Sequence, residues 1–292
     1  MNGAPAFMPL SAAGASLIVA CAFYMIEPHM EGTGLGRLPP LCPWVEVFDL
    51  TEGKRERLVK WDEAPIRAPL AWCGDGRYLA GVSVRDPRRV VVTSISFRAG
   101  ASGKRKDLGT GKIEFMFSRH DDEVLHLAWL PIGAKGDGRW MAAGTKALVT
   151  VGKDGFVRIT DALTGKTLKK LEVGARSPPS MLQVSPAGDM VVTVWGRDVI
   201  LWYLDENRVH RYSLNDTRLT EGWPLCISPD CRYLACQTED GFDICDLETG
   251  KFRGEYARRD LPQVTAAAFD NSGTRIVVAT LSGSVEFFRL VS

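Results

Sequence analysis

The chain has 292 residues, 45% hydrophobic and 24% charged, which is typical of a globular protein and excludes a disordered or fibrous one. Its 36 lysines and arginines almost balance 35 aspartates and glutamates, leaving a formal net charge of +1. Such a balance creates no broad field to attract nucleic acid or an anionic membrane, so we expect neither among the partners.

Cysteine usage and the absence of targeting signals in the sequence bear on the cellular compartment that we expect for the protein. The seven cysteines are an odd number, none in a C-x-x-C pair, and the five-residue steps between Cys226, Cys231 and Cys236 do not suit a zinc knuckle. These features predict reduced, structural thiols. The apolar run at 15–26 is too short to span a bilayer, and no basic region precedes it. We expect an intracellular protein, cytoplasmic with the nucleus as the alternative.

Two kinds of turn signal recur along the chain in constant order. One kind begins at Asp49, Asp161 and Asp246, in the sequences DLTEGK, DALTGK and DLETGK. The other precedes an apolar run and occurs four times: CGDGRYLAG at 73–81, SPAGDMVVT at 185–193, SPDCRYLAC at 228–236 and DNSGTRIVV at 270–278. The intervals leave room for strands of about five residues. Each repeat therefore predicts four short strands, of which the second is buried on both faces and the charged fourth is an exposed edge.

Six such repeats cover the chain as a single predicted domain, at about residues 7–62, 64–119, 120–174, 176–215, 216–259 and 260–292. The third repeat offers two choices of second strand, and we favour LVTVG over GDGRWMAAG, which would form an added hairpin. The last repeat ends after a third strand, SVEFFRL.

This arrangement resembles the WD-repeat β-propeller family, whose blades each have four antiparallel strands. The aspartate of the family's Trp-Asp pair stands at Asp49, Asp161 and Asp246, although the residue before it is not tryptophan, and His120 stands where the family has a histidine. The resemblance implies an all-β fold, a β-propeller of about six recognisable four-stranded blades. Three alternatives stay open for the ring: a shortened ring with weak closure, part of an incomplete seven-bladed ring, or a strand supplied by a partner.

No motif predicts catalysis or a cofactor. His120, Asp121, Asp122 and His126 are the closest to a metal or acid–base cluster, but no third ligand can be named, and we assign them to turns and packing. No G-x-S-x-G motif occurs, the Ser-Pro pairs recur as turn formers, and the glycine-rich stretches at 32–36 and 100–112 lack phosphate-loop spacing. We therefore expect a protein that is not an enzyme, with no catalytic, cofactor or metal site.

The predicted loops contain arginines that could contact a partner. The family pattern gathers on one rim the connections between blades and those between second and third strands. Six arginines there form the predicted partner-binding set: Arg85, Arg119, Arg176, Arg197, Arg218 and Arg258. Guanidinium groups suit carboxylates and phosphates, which favours an acidic or phosphorylated peptide, whereas neighbouring aspartates would neutralise the field. The resemblance implies a non-catalytic protein-interaction scaffold. The alternative is a sensor or regulatory propeller module of a larger multidomain signalling protein.

Overall fold

The computed structural model describes the following residues: 6–7, 18–23, 44–49, 54–58, 66–97, 108–131, 133–134, 140–174, 177–214, 219, 224–239, 241–255, 264–270 and 272–290. Within these ranges the chain forms strands and turns and no helix, so the predicted all-β class is confirmed. It follows that no helix of the described part has the length and apolar character needed to cross a bilayer.

The chain divides into two compact units. The first comprises Met1–Ile132 and Gly144–Val173. Its described residues form three antiparallel sheets of four strands each, in which every strand pairs with its neighbour along the chain. These strands are β1 (Ala6–Phe7), β2 (Ile18–Phe23), β3 (Trp44–Asp49) and β4 (Lys54–Leu58); β5 (Ile66–Trp72), β6 (Tyr78–Ser83), β7 (Arg89–Phe97) and β8 (Leu108–Ser118); β9 (Val124–Trp129), β10 (Ala147–Gly152), β11 (Phe156–Asp161) and β12 (Thr167–Glu172).

The second unit comprises Gly133–Ala143 and Gly174–Ser292. Its described residues form two antiparallel sheets of four strands and one of three. These strands are β13 (Pro179–Val184), β14 (Met190–Trp195), β15 (Asp198–Tyr203) and β16 (Arg208–Ser213); β17 (Cys226–Ile227), β18 (Tyr233–Thr238), β19 (Gly241–Asp246) and β20 (Phe252–Glu255); β21 (Val264–Phe269), β22 (Arg275–Thr280) and β23 (Val285–Arg289). We number the sheets one to six in chain order.

Strand register shows that the repeats are structurally equivalent. Asp49, Asp161 and Asp246 are each the last residue of the third strand of a sheet. Each pairs with the first residue of the second strand, so that Asp161 faces Ala147 and Asp246 faces Tyr233. In the third and fifth sheets the aspartate also caps the turn to the fourth strand: Asp161 Oδ1 accepts the N–H of residue 163 at 3.0 Å, and Asp246 Oδ1 that of residue 248 at 3.1 Å. Equivalent hydrogen bonds in different sheets therefore confirm the repeated sheet architecture.

The turns between first and second strands repeat in the same way. The hydroxyl of Ser185 accepts the backbone N–H of Met190 at 3.0 Å, and that of Ser228 accepts the N–H of Tyr233 at 2.9 Å. At Asp270 a carboxylate oxygen replaces the hydroxyl and accepts the N–H five residues on at 3.1 Å. An oxygen acceptor at this position holds the tight turn closed, which explains why Ser and Asp recur there.

Burial follows the position of a strand within its sheet. The second strands β10, β14 and β18 are buried along nearly their whole length, whereas the fourth strand β16 is mostly exposed and β12 alternates between exposed and half-buried residues. Charged residues on β12 and β16 protect these edges from pairing with other chains. In the third repeat β10 contains LVTVG, as expected, and residues 140–144 form turns with a single bridge residue.

Each unit has its core between consecutive sheets. In the first unit, Val82 and Val92 of the second sheet pack with Leu127 and Leu148 of the third. In the second unit, one cluster joins the fourth and fifth sheets and another joins the fifth and sixth, where Phe242 meets Phe288 edge-on with ring centroids 5.0 Å apart. The second and third sheets thus stack face to face in the first unit, and the fourth, fifth and sixth sheets do so in the second unit.

Candidate functional sites

A buried hydrogen-bonded cluster in the first unit centres on His120, in the connection from β8 to β9. Its Nδ1 lies 2.9 Å from Asp154 Oδ1, and its Nε2 lies 2.8 Å from the Thr150 hydroxyl. Asp154 Oδ2 also accepts hydrogen bonds from Arg158 Nη1 and from the backbone N–H of Asp121, both at 3.0 Å. The side chains of His120, Asp154 and Arg158 are 1%, 6% and 7% exposed. The cluster therefore fixes the β8–β9 connection to the β10–β11 turn.

Burial and hydrogen bonding set the charges in this His120 cluster. Burial lowers the pKa of His120, and the Asp154 carboxylate opposes that shift without reversing it. Burial would raise the pKa of Asp154, but hydrogen bonds from His120 and the Asp121 N–H, with the charge of Arg158, hold it below its usual value. We assign a neutral imidazole that donates from Nδ1 to Asp154 and accepts at Nε2 from the Thr150 hydroxyl. The buried ion pair is Asp154 with Arg158.

The geometry of the His120 cluster indicates a structural role. Both ring nitrogens face protein groups, and Asp121 and Asp122 are exposed. In the described part of the chain, no group of three or more His, Cys, Asp or Glu is placed to hold a metal ion. What the cluster can do is hold two loops together, because each member satisfies the hydrogen bonding of another.

The described cysteines are free thiols, and most are buried. Burial raises the pKa of Cys73 to about 11 and that of Cys226, Cys231 and Cys245 to about 12. At neutral pH these thiols are protonated, and a protonated thiol is a poor nucleophile and a poor metal ligand.

The predicted arginine rim is only partly within the described structure. Three of its six members lie outside the described residues: Arg176, Arg218 and Arg258. Arg85 is exposed in the β6–β7 turn. Arg197, in the β14–β15 turn, places its Nη1 3.4 Å from the carbonyl oxygen of Leu214. Both stand at connections between second and third strands, where the sequence predicts them.

The third described arginine of the set, Arg119, contacts the β11–β12 turn. Its Nε and Nη2 donate to the carbonyl oxygen of Gly165 at 2.9 and 2.6 Å. Gly165 lies in the β11–β12 turn, at the opposite end of the third sheet from the β10–β11 turn. The Arg119 guanidinium therefore lies at the end of the third sheet that holds the β11–β12 turn.

Aspartate neutralises part of the charge near Arg85. Asp86 accepts hydrogen bonds from the Nε atoms of Arg88 and Arg89, each at 3.0 Å. Asp86 and Arg88 lie in the exposed β6–β7 turn, and Arg89 is the first residue of β7. The local positive field is therefore weaker than the number of arginines suggests.

An exposed apolar surface covers one side of the sixth sheet. Cross-strand pairing of Val277 with Phe287 and of Ala279 with Val285 puts these four residues on one face. Phe287 is 78% exposed and Val285 57%. The opposite face is buried against the fifth sheet around Phe242. We call Val277, Ala279, Val285 and Phe287 the outer face of the sixth sheet.

The edge beside this face is also distinctive. In each of the other five sheets a fourth strand pairs with the third, whereas no strand of the described residues pairs with the outer side of β23. The fourth strands β12 and β16 carry Lys169, Lys170, Arg208 and Arg211, while β23 carries Val285, Phe287 and Phe288 together with the charged Glu286 and Arg289. An open strand edge flanked by apolar side chains readily accepts another strand.

Comparison with known proteins provides no function. No model of a known protein family matches the chain, and no curated protein matches it either.

Sequence reasoning missed two features that the structure shows. Asp154 and Arg158 escaped notice, although Arg158 is the single charge in the strand FVRIT and therefore needs a partner if that strand is buried. Phe287 escaped notice too. Adjacent phenylalanines at 287 and 288 on one strand must point to opposite faces, so one of them had to lie outside the core.

Proposed function

We propose that the chain is a non-catalytic protein-interaction scaffold of the WD-repeat type, in which the six sheets are blades of a β-propeller. Two features support this assignment. The recurring aspartates and turn hydroxyls occupy equivalent places in successive sheets. The His120 cluster ties an inter-sheet connection to a strand turn, as the histidine of the family is expected to do.

The exposure of the outer face of the sixth sheet is the observation that best supports a binding function. Monomeric soluble proteins rarely expose large contiguous apolar patches, and such patches mark interaction sites. Val285 and Phe287 belong to β23, whose outer edge pairs with no strand of the described residues, so backbone hydrogen bonds and side-chain burial are available together. Aromatic residues are frequent energetic anchors of protein interfaces.

The occupant that fits this surface is an extended segment of a partner protein that adds to β23 as a fourth strand. The other five sheets show that the position next to a third strand accommodates one strand. Because residues alternate between faces, every second side chain of the added segment would lie beside Val285 and Phe287. We therefore expect apolar residues at alternate positions of that segment.

The test is proximity labelling in cells, in which the wild-type protein is compared with the Val285→Asp/Phe287→Asp double variant. The matched control is Val209→Asp, since Val209 is 42% exposed on β16, the edge strand of the fourth sheet. We expect a reproducible set of neighbours that the double variant loses and the control keeps.

A further arm separates this surface from the arginine rim. Arg85→Glu reverses a charge in the β6–β7 turn without touching the sixth sheet. Loss of an acidic or phosphorylated neighbour in this variant alone would assign binding to the rim and overturn the role of the outer face. Retention of all neighbours by the double variant would also overturn it.

A further inference from the structure

Two arginines lie side by side at one end of the outer face of the sixth sheet. Arg275 of β22 pairs in register with Arg289 of β23, two residues along the strands from the pair of Val277 with Phe287. Because residues alternate between the faces of a sheet, both arginines belong to the outer face, and both are exposed. Like charges at directly opposite positions of an antiparallel pair destabilise it. The sixth sheet therefore carries an unfavourable charge pair beside its exposed apolar residues.

No described carboxylate forms an ion pair with either of these arginines. Within the described residues, neither guanidinium makes a hydrogen bond or a salt bridge. Asp270 precedes β22, but its carboxylate accepts hydrogen bonds from the Ser272 hydroxyl at 2.8 Å and from the backbone N–H groups of Thr274 and Arg275 at 3.0 and 3.1 Å. Both guanidinium groups are thus available to an anion from outside the sheet.

The other sheets show which charges face each other at this place. In the first, third and fifth sheets an aspartate has the position of Arg289, in register with the first residue of the second strand: Asp49, Asp161 and Asp246. A lysine lies opposite each of these aspartates at the start of the fourth strand or just before it: Lys54, Lys166 and Lys251. The third strand thus contributes the anion and the fourth-strand side contributes the cation.

The sixth sheet reverses this arrangement, because Arg289 stands where the other three sheets have aspartate. A strand added to β23 should then carry an anion where the other sheets have lysine. We propose that the sixth sheet binds an acidic segment of a partner protein, whose carboxylate meets the arginine pair while its apolar residues cover the outer face. Guanidinium groups bind carboxylates with charge-assisted, often bidentate hydrogen bonds. This inference rests on the proposed function and adds the charge of the partner to it.

The position of Arg289 also fixes the order of residues in the bound segment. Third and fourth strands are antiparallel in each of the other five sheets. In an antiparallel register the residue opposite Arg289 comes first, and the residues opposite Phe287 and Val285 follow at alternate positions. Adjacent strands are about 4.8 Å apart, so the first of these residues lies beside Arg289, with Arg275 one strand further. The segment should therefore read acidic, any residue, apolar, any residue, apolar.

The test measures the binding of fluorescein-labelled peptides to the intact protein by fluorescence anisotropy. The peptide TDTVTVT has the expected order, TNTVTVT replaces its aspartate by the neutral asparagine, and TVTVTDT reverses the order. We expect TDTVTVT to bind about threefold to fivefold more tightly than TNTVTVT, which is the range for a largely exposed ion pair. It should also bind more tightly than TVTVTDT. Equal affinities for TDTVTVT and TNTVTVT would overturn the proposal.

Arg289→Gln removes the charge from β23 and keeps a long polar side chain. It should lower the affinity for TDTVTVT to that for TNTVTVT, and leave the affinity for TNTVTVT unchanged. The matched control is Arg77→Gln, since Arg77 is an exposed arginine just before the second strand of the second sheet. This control should change neither affinity. An equal effect of Arg289→Gln and Arg77→Gln would contradict the proposal.

The neutral peptide distinguishes failure of this inference from failure of the proposed function. Equal binding of TDTVTVT and TNTVTVT that is lost in the Val285→Asp/Phe287→Asp variant would reject the charge preference and keep the outer face as the binding surface. Binding of both peptides that this variant leaves unchanged would reject both conclusions.

Other occupants of the edge give different results. A requirement for phosphoserine in place of the aspartate, with no preference for TDTVTVT over TNTVTVT, would assign the site to a phosphorylated segment and overturn the carboxylate. Absence of TDTVTVT binding would overturn the proposal as well. Slow hydrogen exchange of the β23 amides in the free protein would then show that the chain itself or a second copy occupies the edge.

Discussion

Removing the Asp154 carboxylate should cost more stability than any exposed ion pair of this protein. Asp154→Ala deletes the acceptor of four hydrogen bonds, from His120, Arg158 and two backbone N–H groups. It also leaves the Arg158 guanidinium, 7% exposed, without its counter-charge. Breaking a buried ion pair from one side costs about 3–5 kcal/mol. At about 2–4 °C per kcal/mol for a protein of this size, the melting temperature should fall by roughly 6–20 °C.

The assay is thermal unfolding at pH 7 of Asp154→Ala beside Asp86→Ala, whose exposed pair with Arg88 should contribute little. Arg158→Met supplies a double-mutant cycle. Once the guanidinium is gone, Asp154→Ala should cost markedly less, because no charge is left buried without a partner. Equal melting temperatures for Asp154→Ala and Asp86→Ala, or strictly additive effects of Asp154→Ala and Arg158→Met, would refute this reasoning.

Two further outcomes follow from the same structure. The depressed pKa of His120 means that its contribution to stability is complete above the unfolded value of about 6.5 and is lost as the pH falls towards the folded value. The melting temperature should thus fall between pH 7 and 5.5, and His120→Gln should flatten that dependence in differential scanning fluorimetry. Gly165→Ala should destabilise more than Gly283→Ala: both have positive φ, of 69° and 85°, but only at Gly165 would the new Cβ overlap the ring of Phe115. Equal losses for the two glycine variants in urea unfolding would contradict this account.

The sequence was sufficient to predict the strands because their signals are local. Turn formers recur at fixed offsets from apolar runs, and Asp161 and Asp246 mark the ends of third strands within a few residues of the turns they cap. The difference between buried second strands and charged fourth strands can likewise be predicted from the residues of each strand itself. Such patterns need no knowledge of distant contacts.

Contacts that depend on distant partners could not be predicted in this way. His120 and Asp154 are separated by 34 residues, and nothing in the local sequence of either one indicates the other. The Arg119 guanidinium donates to a carbonyl 46 residues away, which the residues around Arg119 do not indicate.

We propose that the protein acts by binding partners at the sixth sheet. Hydrogen exchange of β23 amides, measured without and with the partner identified by proximity labelling, tests it most directly. We expect exchange of β23 to slow on binding, since an added strand protects the edge amides, while residues 84–88 keep their rate. Protection of the turn around Arg85 with no change in β23 would contradict the account.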